Sequence, residues 1–146
     1  MALIVGPLNP CSEVYEAAAV FTISSGDTGA AIDVGDSGLY SEQDRLDVAA
    51  VILEEISSWE GCELHQLWYT SDEQNTADNI RWMNELAEGQ GLKEQFTECM
   101  QFKSNYHSPV DPDKAGGWEP DEEYTNWEWW LARADGGEWH LMTWGY

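Results

Sequence analysis

Positive charge is scarce in this sequence. Its 146 residues include six Lys and Arg against 28 Asp and Glu, so the formal net charge at pH 7 is −22. Nucleic acids and anionic membranes are bound largely through Lys and Arg, so we expect neither to be a direct ligand. Like charges at this density also repel one another and destabilise the folded state. A strongly basic partner protein would relieve that repulsion.

Cysteine and long apolar runs are scarce too. The three cysteines, Cys11, Cys62 and Cys99, form no C-x-x-C pair, so we expect free thiols in a reducing compartment and neither a disulfide framework nor a structural zinc site. No apolar run approaches the ~20 residues of a membrane span, and the first ten residues lack the basic and apolar regions of a signal peptide. We therefore expect a soluble, cytoplasmic protein from a bacterium or a phage.

Two segments have clear helical periodicity. Residues 41–44 resemble a capping box, and apolar residues follow at helical spacing, which predicts a helix over residues 41–58. A second capping-box pattern begins at Ser71, and its apolar stripe predicts a helix that stops at Gly89. The chain length fits a single domain of residues 1–146.

The remaining elements are shorter or ambiguous. Residues 20–23 and 30–34 are β-prone around a turn at residues 24–27, which predicts a hairpin; a helix continued through Phe21 is the alternative. Residues 92–106 combine helical spacing with β-prone side chains and fit either structure. Three further elements are expected: a strand at residues 3–5, a helix at residues 10–18 and a strand at residues 63–70.

The chain closes with its strongest strand pattern, which predicts a hairpin of residues 124–134 and 138–144 around a turn at residues 135–137. Strand alternation puts Trp127, Trp129 and Leu131 on one face and Glu128, Trp130 and Ala132 on the other. In the second strand it sets Trp139, Leu141 and Thr143 against His140, Met142 and Trp144. The whole pattern predicts an α+β fold: two or three helices packed on one face of a mainly antiparallel sheet, with a Trp-rich C-terminal hairpin.

A long irregular stretch, residues 104–123, precedes that hairpin and holds three prolines and a Gly-Gly pair. Such loops are often binding loops or lids. In the C-terminal quarter, residues 111–144, carboxylates are interleaved with aromatic residues. This combination suits a cationic surface, because Arg and Lys pair with carboxylates and stack on Trp. The alternative is that the Trp side chains fill the core and the charges are only solvated. The predicted partner-binding residues are Asp111, Asp113, Trp118, Asp121, Glu122, Glu123, Tyr124, Trp127, Glu128 and Trp130.

Catalytic and metal motifs are weak. The histidines lack the spacing of a zinc site, and the chain has neither a P-loop nor G-x-G-x-x-G. His107 beside Ser108 could belong to a nucleophilic triad, but no G-x-S-x-G supports it. Asp111-x-Asp113 resembles the start of a calcium loop, yet its fifth position is Ala115, which offers no oxygen ligand in its side chain. No catalytic residue, metal or cofactor is predicted.

These features favour an acidic, non-enzymatic protein that neutralises a basic partner, such as an immunity protein that inhibits a bacterial toxin. One alternative is a phage-encoded DNA mimic that inhibits a host nuclease or defence protein. Another is a small α+β enzyme or ligand-binding domain with a Trp-lined pocket. Halophilic adaptation would also explain the acid excess, although it does not account for nine Trp.

Overall fold

A six-stranded sheet is the centre of the computed structural model, which describes residues 20–23 and 30–146. The strands lie in the order of the chain. The elements are β1 (Val20–Ile23), β2 (Ala30–Asp33), α1 (Glu42–Ser57), β3 (Glu63–Tyr69), α2 (Ala77–Gly89), β4 (Glu98–His107), α3 (Pro112–Ala115), β5 (Glu123–Arg133) and β6 (His140–Gly145), with a 3₁₀ turn at Asp72–Gln74.

All neighbouring strands are antiparallel except β2 and β3, which run parallel and are joined through α1. The α+β prediction with a mainly antiparallel sheet is confirmed. The β1–β2 pair confirms the expected hairpin strands, and β3 matches the strand expected at residues 63–70. The turn at 24–27, the strand at 3–5 and the helix at 10–18 were predicted for residues outside those described.

Hydroxyl side chains cap both long helices. Ser41 precedes α1 and accepts a hydrogen bond from the backbone N–H of Asp44, as the capping-box pattern predicts. The second capping prediction is wrong in position. Ser71 caps only the 3₁₀ turn, and Thr76 caps α2 by accepting from the N–H of Asn79. Ser71 and Thr76 are both residue types that cap helices, but only Thr76 precedes the long helix α2.

The helices lie on both faces of the sheet, which corrects the expectation of one covered face. On the first face, α1 packs its apolar stripe around Ile52 against a core that includes Trp129 and Leu131. On the second face, α2 packs through Met83 against a core that includes Trp130 and Ala132. Alternate residues of β5 therefore enter different cores. Both faces of this part of the strand are buried, and both carry apolar side chains.

A β-bulge in β6 corrects the predicted alternation of the last strand. Leu141 pairs with Leu131 and Thr143 pairs with Trp130, so Met142 is an extra residue on β6. Beyond the bulge the side chains exchange faces. Trp144 therefore lies beside Trp129, with ring centroids 5.7 Å apart, instead of on the face opposite Leu141.

The ambiguous segment 92–106 contributes most of β4, which continues to His107. Since β5 begins at Glu123, the irregular connection is residues 108–122, shorter than the expected 104–123. It contains the single-turn helix α3, which starts at Pro112 behind the capping side chain of Asp111. We call residues 108–122 the acidic loop.

Candidate functional site

The acidic loop is closed across its base by hydrogen bonds around Ser108. The Ser108 hydroxyl donates to the carbonyl of Glu119 at 2.6 Å and accepts from the N–H of Glu122 at 2.9 Å, while the Ser108 N–H donates to the carbonyl of Glu122 at 2.8 Å. The N–H of Asp121 donates to the carbonyl of Pro109 at 2.8 Å. Backbone groups at both ends of the loop are thus satisfied by hydrogen bonds within the chain, which fix the shape of the loop base.

Most carboxylates of the acidic loop are exposed and take no part in the hydrogen bonds at its base. Asp113, Glu119 and Glu122 are exposed, and within the described residues their carboxylates form no hydrogen bond or ion pair. Asp111 differs, because its carboxylate accepts from the Asp113 N–H at 2.9 Å as a cap of α3. Asp121 is exposed too, but its carboxylate binds a histidine. Three carboxylates of the loop are therefore exposed and without a partner among the described residues.

Eight aromatic side chains form one network beneath the loop, which we call the aromatic cluster. Trp59 is at its centre: its ring centroid lies 5.0 Å from that of Trp118 and 5.3 Å from that of Trp129. Buried aromatic pairs of this kind add to stability beyond their apolar area. The members are Trp59, Tyr106, Trp118, Tyr124, Trp127, Trp129, Trp144 and Tyr146.

The cluster holds the loop as well as the core. Trp118, in the loop, contacts Trp59 and Tyr106, and the Tyr124 hydroxyl accepts from the N–H of Glu119 at 2.9 Å. Trp118, Tyr124 and Trp127 are half-buried, so each keeps part of its ring accessible. Of the predicted binding residues, eight share this end of the sheet: Asp111, Asp113, Trp118, Asp121, Glu122, Glu123, Tyr124 and Trp127.

Glu128 and Trp130 are separated from those eight residues. Trp130 is only 7% exposed and belongs to the second core, and its indole N–H donates to Glu128 at 3.1 Å. Trp130 is thus a core side chain, not an exposed anchor, although Glu128 remains half-exposed beside it. The alternation of β5 places these two residues opposite Trp127 and Trp129, as predicted.

A group of two histidines and three carboxylates, which we call the histidine clamp, joins the loop to the sheet. His107 binds Asp121 at 2.8 Å through Nε2 and Glu123 at 3.1 Å through Nδ1. His65 binds Glu63 at 2.9 Å and the second oxygen of Glu123 at 3.0 Å. The clamp therefore fastens Asp121, which has a positive φ of 57°, to β3, β4 and β5.

Sequence reasoning missed the clamp because its members come from three strands and the acidic loop. Strand register pairs Glu63 with His107, and His107 with Glu123. The spacing of these residues in the sequence does not predict the register. Their carboxylates raise the pKa of both histidines above the ordinary value of 6.5. The main causes are the hydrogen bonds with Glu63 for His65 and with Asp121 for His107.

We expect this protein to become more stable as the pH falls from about 8 to about 6. The raised pKa values mean that the folded state binds these protons more tightly than the unfolded chain. The stabilisation is complete below pH 6.5 and disappears as the pH rises through the folded-state pKa values. Thermal melting across this range should show a lower Tm at the higher pH.

The double variant His65→Gln and His107→Gln should flatten that dependence. His140→Gln is the matched control, because His140 binds Glu94 at 2.5 Å outside the clamp. If the double variant keeps the wild-type change of Tm between pH 6 and 8, the clamp is not the source of the pH dependence.

The clamp does not resemble a hydrolase triad. Ser108 donates to a backbone carbonyl and His107 binds two carboxylates, so the adjacent residues do not form a nucleophile–base pair. In residues 30–146 no group of three or more His, Cys, Asp and Glu side chains has the arrangement to hold a metal ion. The two described cysteines, Cys62 and Cys99, are free thiols, and burial raises the pKa of each to about 11.

Most of the chain's few cations already have internal partners. Arg133 joins Asp44 of α1 to Glu98 of β4 and lies 4.5 Å from the ring of Trp139. The other engaged side chains and their partners are Arg45 with the carbonyls of Val34 and Gly35, Arg81 with Asp78, and Lys114 with Glu60. Few cations remain to neutralise the exposed carboxylates.

Comparison with known proteins supplies no relative: no family model, no curated protein and no solved structure matches this chain. Among the described residues, no helix combines the length and apolar character that crossing a bilayer requires. The function must therefore be inferred from the surface of the molecule.

Proposed function

We propose that this protein binds and neutralises a strongly basic protein, as an immunity protein neutralises a toxin. The acidic loop carries the proposal. Its free carboxylates, on Asp113, Glu119 and Glu122, stand on a backbone that is already ordered by Ser108 and by the aromatic cluster. A preformed surface loses less conformational entropy on binding than a mobile one.

Charge complementarity would act mainly on the rate of capture. A net charge of −22 attracts a cationic protein over distances of about one Debye length, ~10 Å at 0.1 M salt. The carboxylates of the loop would then pair with Lys and Arg of the partner. Half-buried Trp118 and Trp127 add aromatic surface next to those charges, and aromatic residues and Arg are the commonest hot spots at interfaces.

A basic enzyme of nucleic acids is the class of partner that fits best. Its substrate cleft must present Lys and Arg to phosphate, and a carboxylate-rich loop presents acceptors of the same charge sign. Occupation of that cleft would block the substrate without any chemistry by the inhibitor. A toxin and a host defence nuclease offer the same surface, so both alternatives lead to one experiment.

The test is capture of a basic protein from an extract of the source organism with three immobilised forms of this chain. The first is wild type. The second, the loop variant, carries Asp113→Lys, Glu119→Lys and Glu122→Lys, which change charge without breaking a hydrogen bond or ion pair of the described structure. The third, the control variant, carries the same charge change at Glu73→Lys, Glu85→Lys and Glu88→Lys, which are exposed around α2.

We expect one basic protein to be retained by wild type and by the control variant and lost from the loop variant. Its enzymatic activity should fall when stoichiometric wild-type protein is added. Equal retention by all three forms, equal loss from both variants, or a retained protein whose activity is unaffected would contradict the proposal.

A further inference from the structure

A second surface with aromatic walls lies on the other face of the sheet, between α2 and the edge strand β6. It is a cleft of about 80 Å³ lined by residues of α2, β5, β6 and the chain end, among them Trp82, Glu128, Trp130 and Tyr146. Trp82 is 38% exposed and is one of the few large apolar side chains that the described residues leave open to solvent. Tyr146 lies at the edge of the cleft, and its ring contacts Trp127 of the aromatic cluster. We call it the Trp82 cleft.

One carboxylate, that of Glu128, stands in this aromatic setting. The indole N–H of Trp130 donates to its Oε1 at 3.1 Å, which fixes the orientation of the group and leaves Oε2 without a hydrogen bond to the described residues. On the β6 side its cross-strand neighbour is Gly145, where an added Cβ would meet nothing within 4 Å. At this position of β6 there is therefore no side chain to cover the carboxylate.

The charge of Glu128 has no close counterion. Its other cross-strand neighbour is Lys103, yet no Lys or Arg nitrogen of the described chain lies within 4 Å of the Glu128 carboxylate. Next to it, the rings of Trp82 and Trp130 meet edge to face, with centroids 5.2 Å apart. Trp rings attract cations above their faces, and a carboxylate at the same point adds a charge-assisted hydrogen bond.

We propose that the Trp82 cleft binds the guanidinium of an Arg side chain. The planar guanidinium can stack on an indole while it donates to Glu128, whereas the ammonium of Lys is a strongly hydrated point charge. In the complex, this Arg belongs to the basic partner, so its biological role rests on the proposed function. It gives the partner a second contact on the face opposite Trp127.

The test needs no partner. Nα-acetyl-arginine amide is titrated into ¹⁵N-labelled protein, and the indole N–H signals of Trp82 and Trp130 are followed. The variants are Glu128→Gln, which keeps an acceptor for Trp130 and loses only the charge, and Trp82→Ala, which removes an exposed wall. Glu85→Gln is the charge-matched control, because Glu85 lines a different groove of α2.

Both cleft variants should weaken binding about fivefold or more, and Glu85→Gln should stay within about twofold of wild type. Nα-acetyl-lysine amide should bind several-fold more weakly than the arginine compound. Equal weakening by Glu128→Gln and Glu85→Gln, or shifts spread evenly over the acidic surface, would show only diffuse attraction and overturn the proposal. Because the probe is a small molecule, that result would leave the capture experiment, and the function it tests, unaffected.

Discussion

Replacing Trp129 by Ala should lower the free energy of unfolding by about 3–5 kcal/mol, the usual cost of truncating a fully buried Trp. Trp129 has no exposed surface, stacks on Trp59 at 5.3 Å and donates its indole N–H to the Ser104 hydroxyl at 2.8 Å. The substitution opens a cavity at the centre of the aromatic cluster and leaves the buried Ser104 hydroxyl without its donor. Urea denaturation monitored by far-UV circular dichroism measures the loss.

Trp82→Ala is the matched control, since it removes the same side chain from an exposed position. Its cost should be smaller, about 1–2 kcal/mol, because Trp82 is 38% exposed and its ring contacts one buried aromatic side chain, that of Trp130. Similar losses in the two variants would mean that the aromatic cluster is not the structural centre described above. The acidic loop would then lack the support that the proposed function requires.

The loop variant should associate with the captured basic partner about tenfold more slowly than wild type, or slower still, at low salt. Reversing Asp113, Glu119 and Glu122 replaces attraction with repulsion at the point of first contact. The control variant has the same net charge as the loop variant but keeps the three loop carboxylates. It should therefore slow association much less. Surface plasmon resonance of the three forms separates the association and dissociation rates.

A loop variant that associates as fast as the control variant would show that only the overall charge matters. The acidic loop would then be one part of a diffuse field rather than the docking surface. Circular dichroism of both variants shows whether each one retains its fold before the comparison is made.

Local rules predicted the elements that depend on local sequence. Capping and apolar spacing placed α1 within a residue of its ends, because both signals lie inside the helix. Strand pattern found both strands of the C-terminal hairpin, since alternation and the Asp-Gly-Gly turn are adjacent in the chain. The class of fold followed from the order of these elements.

What the sequence did not reveal depends on contacts between distant residues. The bulge at Met142 changes the face of Trp144, and no residue in β6 marks it. The histidine clamp depends on the register of three strands. The Trp residues of core and surface have the same chemistry, so only packing separates buried Trp130 from exposed Trp82.

The sequence located only part of the candidate site for the same reason. Its acidic residues are contiguous in the chain, so composition located the loop, and the free carboxylates of Asp113 and Glu122 are among those expected. The aromatic side chains that hold the loop in place include residues outside the predicted segment. Trp59 follows α1 and Tyr106 lies in β4, and each contacts Trp118 only after the sheet has formed.

The association rate of the wild-type protein and its captured partner, measured against salt, is the most direct test of the central claim. If the acidic surface steers a basic partner, the rate should fall well over several-fold between ~0.05 and ~0.5 M salt, because screening shortens the reach of the field. An association rate that stays constant across this range would contradict the account.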